Sequence, residues 1–525
     1  MTERPEVYGV GYPRSVDVTA PNPLPLAHPL YTKTTRALLA MVVVLAIPYA
    51  SPRLRAFRVA LAPWDRTVET ATAAPAAVPA PSPVTGEQKL GATANEETVS
   101  NALPDQAKPV DEGALAKELG SLAIDDPTGH ALDGYYASLA RTIAKEAGAV
   151  TRVLHYGDSV ITADLVSGTM RRLEQAKFGD SGHGFILLAN PWEWYFHNDV
   201  SHNASDGWSE SRITGPLVGD GAYGLGGVSF HTTDIASAWF STKSKGDYGR
   251  NVSRFDVYYL EQPWGGGLHL VVPGRPPEKL STRGPKKVSR VRSVSVPDGA
   301  GQLSIRTWGD GDVRMFGVAL ERDVPGVVWD ALGANGARIR LWDAMSEENW
   351  AEQFALRKPA LIILEYGTNE SEDDDFRVET YEAALDRVLT KIGKAAPDTA
   401  ILIVSPLDRA ERTTGGKLRT KPVILKLVDA QKKAAAAHGV GFWNTFLAMG
   451  GEGSMGRWVN TKPQLGGWDF THPTPLGAEA VATLLFNALN AGYAAYAGAH
   501  ADAPKLPEGR ASTPPNMPST TTGER

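Results

Sequence analysis

Residues 151–159, TRVLHYGDS, decide how this chain is read. An apolar run leads into Gly157, where the backbone can turn sharply, and residues 163–177 then space their apolar side chains at helical intervals. The segment therefore predicts a buried strand, a tight loop and a helix. The same texture returns downstream. GVVWDAL (326–332), PALIILEY (359–366), TAILIVSP (399–406) and residues 439–443 predict further strands, and residues 343–356, 378–394, 421–438 and 475–494 predict helices. Such alternation predicts an α/β fold, with a parallel sheet covered on both faces.

Between residues 223 and 323 the texture changes. RFDVYYLEQ, GGLHLVVPG, VSRVRSVSV, GQLSIRTWG and VRMFGVALE alternate with Gly, Pro and Asp turns and carry no helical period. This predicts a β-sandwich of the jelly-roll kind inserted into the α/β domain. Its aromatics, Trp239, Tyr248, Tyr258, Tyr259, Trp264 and Trp308, suit either a core or a surface that stacks on sugar rings, and alternate spacing favours the core.

Outside the folded region, residues 37–50 (ALLAMVVVLAIPYA) form an unbroken apolar run. As a helix it reaches only about 21 Å, short of the roughly 30 Å hydrocarbon core of a bilayer. It reads as a signal-peptide core or a short anchor, and the poor A-x-A matches that follow favour the anchor. An Ala/Pro-rich linker over 51–110 and a polar tail over 499–525 bracket the domain. The expected organisation is an N-terminal tail (1–36), an anchor or signal segment (37–50), the linker, a leading core segment (111–222), the inserted module (223–323), a closing core segment (324–498) and the polar tail. This plan places the protein in the cell envelope, outside the cytoplasm, with the membrane reached through the N-terminal segment.

Across 525 residues, 42% hydrophobic and 21% charged side chains exclude a disordered or polytopic membrane chain. A net charge of −6 argues against a nucleic-acid partner. The absence of Cys excludes a thiol nucleophile, a disulfide scaffold and a Cys-based zinc site.

The chemistry sits at the predicted strand ends. HYGDS (155–159) puts Ser159 in a turn whose following helix aims backbone amides at it. GWDFTHP (467–473) supplies Asp469 and His472 three apart, a spacing that lets the carboxylate orient the imidazole while the other ring nitrogen faces a serine. Between them, GTN (367–369) offers the Asn369 amide to a developing oxyanion, and GANGA (333–337) offers backbone N–H groups. Other patterns carry less. GDGAYG (219–224) fits G-x-G-x-x-G, but a β-like stretch follows it where a dinucleotide site needs a helix. His183, His197 and His202 lack ligand spacing and read as loop residues. The acidic run 372–375 reads as a solvated loop, and no metal or cofactor is expected.

Taken in this order, the four blocks resemble the SGNH or GDSL hydrolase family. The resemblance implies a flavodoxin-like three-layer α/β/α core, with Ser159 as nucleophile, Asp469 and His472 as its partners, and Ser159, Gly336 and Asn369 forming the oxyanion hole. Gly333 is the alternative for the glycine. FGDSGHGF (178–185) is similar to a segment of the family's polysaccharide and peptidoglycan O-acetylesterases, some of which carry a jelly-roll insertion similar to carbohydrate-binding modules. The implied function is removal of O-acetyl groups from an acetylated polysaccharide such as peptidoglycan through an acetyl-serine. O-acetyltransfer, or glycan binding without catalysis, are the alternatives.

Overall fold

The structure, a computed structural model, describes residues 123–507. The expectations for residues 1–122 and 508–525, including the apolar segment and the linker, lie outside it. Among the described residues no helix is long and apolar enough to cross a membrane.

Five parallel strands form the central sheet: β1 (Val150–Gly157), β2 (Gly326–Gly333), β3 (Leu361–Glu365), β4 (Ala400–Val404) and β5 (Gly441–Trp443). They lie in the order 2-1-3-4-5, the flavodoxin-like order expected. Side chains alternate across it. Leu154, Tyr156, Ile362, Leu364, Ile401 and Ile403 enter one hydrophobic cluster, while Val153, Leu361, Ile363, Leu402 and Val404 enter the other. Both faces are apolar, so both need a helical layer. Helices Glu347–Arg357, Val378–Ala395 and Pro422–His438 cover the first through residues such as Phe354, Leu385 and Leu427. Helices Asp133–Ile143, Val166–Phe178 and Pro475–Ala499 cover the second through Leu139, Met170 and Leu485.

The remaining β-structure is chiefly two antiparallel sheets. One orders its strands as Val288–Gly299, Val252–Glu261, Val313–Glu321, Val228–Thr232 and Ser209–Arg212, with Gly184–Leu187 also paired to Val313–Glu321. The other runs Val200–Ala204, Ser237–Thr242, Gln302–Thr307, Gly267–Val271 and Glu278–Ser281. Phe255, Val257 and Val318 of the first share a cluster with Leu268, Leu303 and Ile305 of the second. Antiparallel pairing thus begins at Gly184, well before the expected residue 223. The early strands are short, and their partners lie far along the chain, so no local alternation announces them. Likewise, the tail expected from residue 499 belongs to the fold as far as residue 507: Tyr493 Oη donates to the Pro504 carbonyl at 2.6 Å, and Leu506 packs on the core.

A buried acid ties the antiparallel region to the central sheet. Glu321 accepts from Arg152 of β1 at 2.8 Å, from Arg254 at 2.6 Å, and from Arg357. Burial opposes its charge, but the three guanidiniums hold its carboxyl well below the usual range.

Glu174, in helix Val166–Phe178, is the opposite case. It is buried, with both carboxylate oxygens lacking a hydrogen-bond partner among the described residues. Burial pushes it up to about 8, against the pull of Lys177. The native state therefore keeps a proton that the unfolded chain releases above its ordinary value, and stability falls as pH rises from about 4.5 towards 8. Glu174→Gln is expected to be more stable than the parent at pH 7 by about 3 kcal/mol. Denaturant titration at pH 5 and pH 8 checks this, and parallel pH dependence of the two proteins would sink it.

Candidate active site

The register of the central sheet brings the expected blocks together. Gly157 at the end of β1 pairs with Gly333 of β2 on one side and Glu365 of β3 on the other. The loops that follow, carrying Ser159, Gly336 and Asn369, therefore leave the sheet at one level, on neighbouring strands at the carboxyl edge. This is where the strand order reverses, the usual place for a site in an open α/β sheet.

Ser159 opens a short helical turn, Ser159–Thr162, capped by Asp158, whose Oδ1 accepts from the Val160 N–H at 3.2 Å. Burial pushes the Asp158 carboxyl up to about 6. Ser159 Oγ lies 2.8 Å from His472 Nε2, and His472 Nδ1 lies 2.6 Å from Asp469 Oδ2. Since the carboxylate only accepts, Nδ1 carries the proton and Nε2 is left to accept from the serine hydroxyl. Asp469 Oδ1 also accepts the N–H groups of Thr471 and His472, each at 3.0 Å, so one side chain shapes the turn and orients the ring. Burial works against the Asp469 charge, but the bonds from His472 and Thr471 bring its carboxyl below its ordinary value. Within the turn Phe470 holds a left-handed φ of 58°, a conformation that costs a non-glycine residue about 1–2 kcal/mol. The Ala410 N–H bond to the Phe470 carbonyl and the Arg412 guanidinium over the Phe470 ring hold it there.

Asn369 donates one amide N–H to the Ala337 carbonyl at 3.0 Å, joining the loops after β2 and β3, and its second N–H has no partner among the described residues. Gly336 is exposed, in a tight turn closed by the Ala337 N–H to Ala334 carbonyl bond, with φ 74°. Gly333 is instead buried against the serine helix, where a Cβ would come within 2.1 Å of the Thr162 nitrogen. Gly333 thus serves close packing.

Sequence reasoning missed Arg409, which follows β4. Its buried guanidinium donates to the Thr368 carbonyl at 2.9 Å, to Thr471 Oγ1 at 2.9 Å, and to Ser371 and Glu372. It thereby braces the Asn369 loop against the His472 turn. Arg409→Lys cannot span these partners and is expected to lose about 10²-fold in kcat with KM little changed. Kinetics on p-nitrophenyl acetate, beside guanidinium rescue of Arg409→Ala, check this. Equal loss in KM and no rescue would leave Arg409 a merely structural residue. A lone Arg after a strand offers no periodic signal for such a role.

A second buried network lies behind the serine. Trp329 Nε1 donates to His155 Nδ1 at 3.3 Å, so His155 Nε2 carries the proton that goes to Glu365 at 2.9 Å. His183 and His197 lie in loops, as expected, and His202 in strand Val200–Ala204, but the expected lack of ligand geometry does not hold for the two loop histidines. Their rings bond at 2.9 Å, and their ligating atoms lie within 4.8 Å of each other and of Asp164. The grouping was invisible in the sequence because the loop after Leu187 folds back. Asp164, however, is already paired by Arg171 at 2.7 and 3.0 Å, and a guanidinium in that position repels a cation. The acidic run is also engaged: Lys421 and Arg409 hold Glu372, and Arg338 holds Asp373. Residues 219–224 lead into strand Val228–Thr232 and not into a helix.

A serine, an imidazole and a carboxylate in one bonded chain, beside loops that carry amide groups, form the arrangement that a serine hydrolase needs. Residues 295–480 match the model of the GDSL-like lipase/acylhydrolase family. Over that stretch the chain resembles the SGNH/GDSL acylhydrolases, and the protein is an esterase. The matched stretch holds Gly336, Asn369, Asp469 and His472, while Ser159 precedes it and is joined to them by the fold.

Among solved structures the chain is similar to one described as a peptidoglycan O-acetylesterase in action, at 23% identity and TM-score 0.60, covering 70% of this chain and 99% of that one. An acetyl xylan esterase is matched at 17% identity and TM-score 0.25, over 31% of this chain and 80% of that one. A family two carbohydrate esterase from Clostridium thermocellum, in complex with cellohexaose, is matched at 11% identity and TM-score 0.24, over 50% of this chain and 95% of that one. No curated protein matches.

Proposed function

We propose that the protein removes O-acetyl groups from a cell-envelope polysaccharide, peptidoglycan in the first instance, through an acetyl-serine intermediate. The observation that carries this reading is the Ser159–His472–Asp469 chain, in which each atom already holds its working partner. Ser159 Oγ attacks the acetyl carbonyl as its proton passes to His472 Nε2, and Asp469 balances the imidazolium. The Ser159 and Gly336 N–H groups and the second Asn369 N–H stabilise the oxyanion. Collapse expels the sugar oxygen, which takes the proton from Nε2. Water, deprotonated by the same nitrogen, then releases acetate and restores the serine.

The exposure of the pair supports a polymeric substrate: the His472 and Asp469 side chains are 43% and 52% exposed. The cavity of about 510 Å³ beside the Asn369 loop is lined by Glu370, Arg340 and Tyr381 and by none of the three chain residues. A surface site of this kind admits an acetyl group on a long chain. We further propose that residues 37–50 tether the enzyme in the envelope, where such a chain is met.

The test is acetate release by the full chain from O-acetylated peptidoglycan and from O-acetylated xylan. Faster release from peptidoglycan is expected. Hydrolysis of p-nitrophenyl acetate with no release from either polymer would overturn the polysaccharide reading. Transfer of acetyl to an added glycan, in place of release to water, would turn it into a transferase.

A further inference from the structure

The outer face of the five-stranded antiparallel sheet carries a row of cationic and aromatic side chains that the esterase chemistry does not use. Arg306 is paired across the strands with His269, and His269 with Lys279. Directly opposed residues share a face, so the three form one line over three neighbouring strands. The alternate positions, Ile305 and Leu270, are buried. Arg306 and Lys279 are therefore on the solvent side, where both are exposed.

Ion pairing separates this row from the other sheet. There Arg290 meets Glu261 at 3.2 Å, Arg254 meets Asp256 at 3.0 Å and Arg314 meets Asp220 at 2.8 Å. Arg306, His269 and Lys279 have no carboxylate within ion-pair distance among the described residues. Like charges brought onto one row of a sheet destabilise it, and a protein of net charge −6 has acids to spare for neutralising them.

The aromatics complete a platform. Trp308 lies two residues beyond Arg306 on the same face, 37% exposed. Its ring rests on Gly267, where a Cβ would come within 2.0 Å of it. Its indole N–H donates to His269 Nδ1 at 3.2 Å, and Lys279 Nζ sits 6.0 Å from the ring centre. With Nδ1 accepting, His269 presents its Nε2–H outward. Trp239, paired with Ser304 and 36% exposed, extends the same face.

We propose that this face binds an anionic glycan chain, with carboxylates held by Arg306 and Lys279 and a sugar ring stacked on Trp308. A flat ring held in place by glycine packing and a hydrogen bond offers an apolar face to pyranose C–H groups at little entropic cost. The flanking cations bind carboxylates through charge-assisted hydrogen bonds. A nucleic acid needs a longer basic track, and the overall negative charge repels it. The row shares no residue and no hydrogen bond with the catalytic chain, so its failure would leave the esterase reading intact.

The experiment measures binding of the full-length protein to polygalacturonate, neutral xylan and a single-stranded oligonucleotide, at low and high salt. Binding to polygalacturonate that weakens with salt is expected, and Arg306→Glu combined with Lys279→Glu is expected to weaken it by at least about tenfold. Hydrolysis of p-nitrophenyl acetate by that variant is expected to be unchanged. Trp308→Ala adds the stacking term, while the exposed charge pair keeps the test independent of folding. No polygalacturonate binding by the parent, equal binding by the charge-reversed protein, or tighter binding to xylan or the oligonucleotide would overturn the proposal.

Discussion

Ser159→Ala is expected to lower kcat/KM for acetyl-ester hydrolysis by about 10⁴–10⁶-fold. In the proposed mechanism the hydroxyl bonds the acetyl carbon while its proton moves to His472 Nε2, 2.8 Å away. The folded state barely notices the change. Asp158 still caps the helical turn through the Val160 N–H, and Val160 and Ile161 still anchor that turn in the core. A melting temperature within a few degrees of the parent is therefore expected beside the kinetic loss. The double variant Ser159→Ala/His472→Ala should be no slower than Ser159→Ala, because the pair acts as one unit. Acetate release and thermal melting on all three proteins check this. Activity of Ser159→Ala within tenfold of the parent would remove the serine from the mechanism.

Asp469→Asn is expected to cost about 10⁴-fold in kcat, the second largest effect. The Asn oxygen can keep the Thr471 and His472 N–H bonds that now shape the turn, so geometry survives. Its NH₂ group then faces Nδ1 and forces that nitrogen to accept, which moves the imidazole proton to Nε2 and sets it against the serine hydroxyl. Because the Asp469 carboxyl lies below its ordinary value, it stays ionised through the neutral range. The loss should accordingly be the same at pH 6 and pH 8. Kinetics at both values check this, and a loss that vanishes at either pH would assign Asp469 to the turn alone.

Much of the site was legible because its residues sit beside local signals. Ser159 follows a Gly turn at a strand end, and Asp469 and His472 lie within one tight turn before a Pro-initiated helix. Each motif is short enough for spacing to imply contact. Arg409 was not legible, since its partners come from distant loops and none is a neighbour in sequence. The same holds for the His183–His197 pair and for the His155–Glu365 bond, which joins residues on adjacent strands. The aromatics of the β region divided: Tyr258 and Tyr259 went to the core, and Trp264 was left 79% exposed. Alternation alone does not say which of two apolar faces meets a second sheet.

By itself, the sequence determined the class of the fold and which serine, histidine and aspartate the fold brings together. Continuous Val, Ile and Leu runs suit only a sheet covered on both faces, and the serine, histidine and aspartate are each announced by a turn that places them at its edge. The tertiary structure decided the extent of the antiparallel region, the close packing of Gly333 on the serine turn, the Arg409 brace and the row of Arg306, His269 and Lys279. Those features depend on strand register and on loops that meet after distant segments pack. A one-residue shift of register would turn the side chains of that row to the other face, and only long-range pairing sets that register.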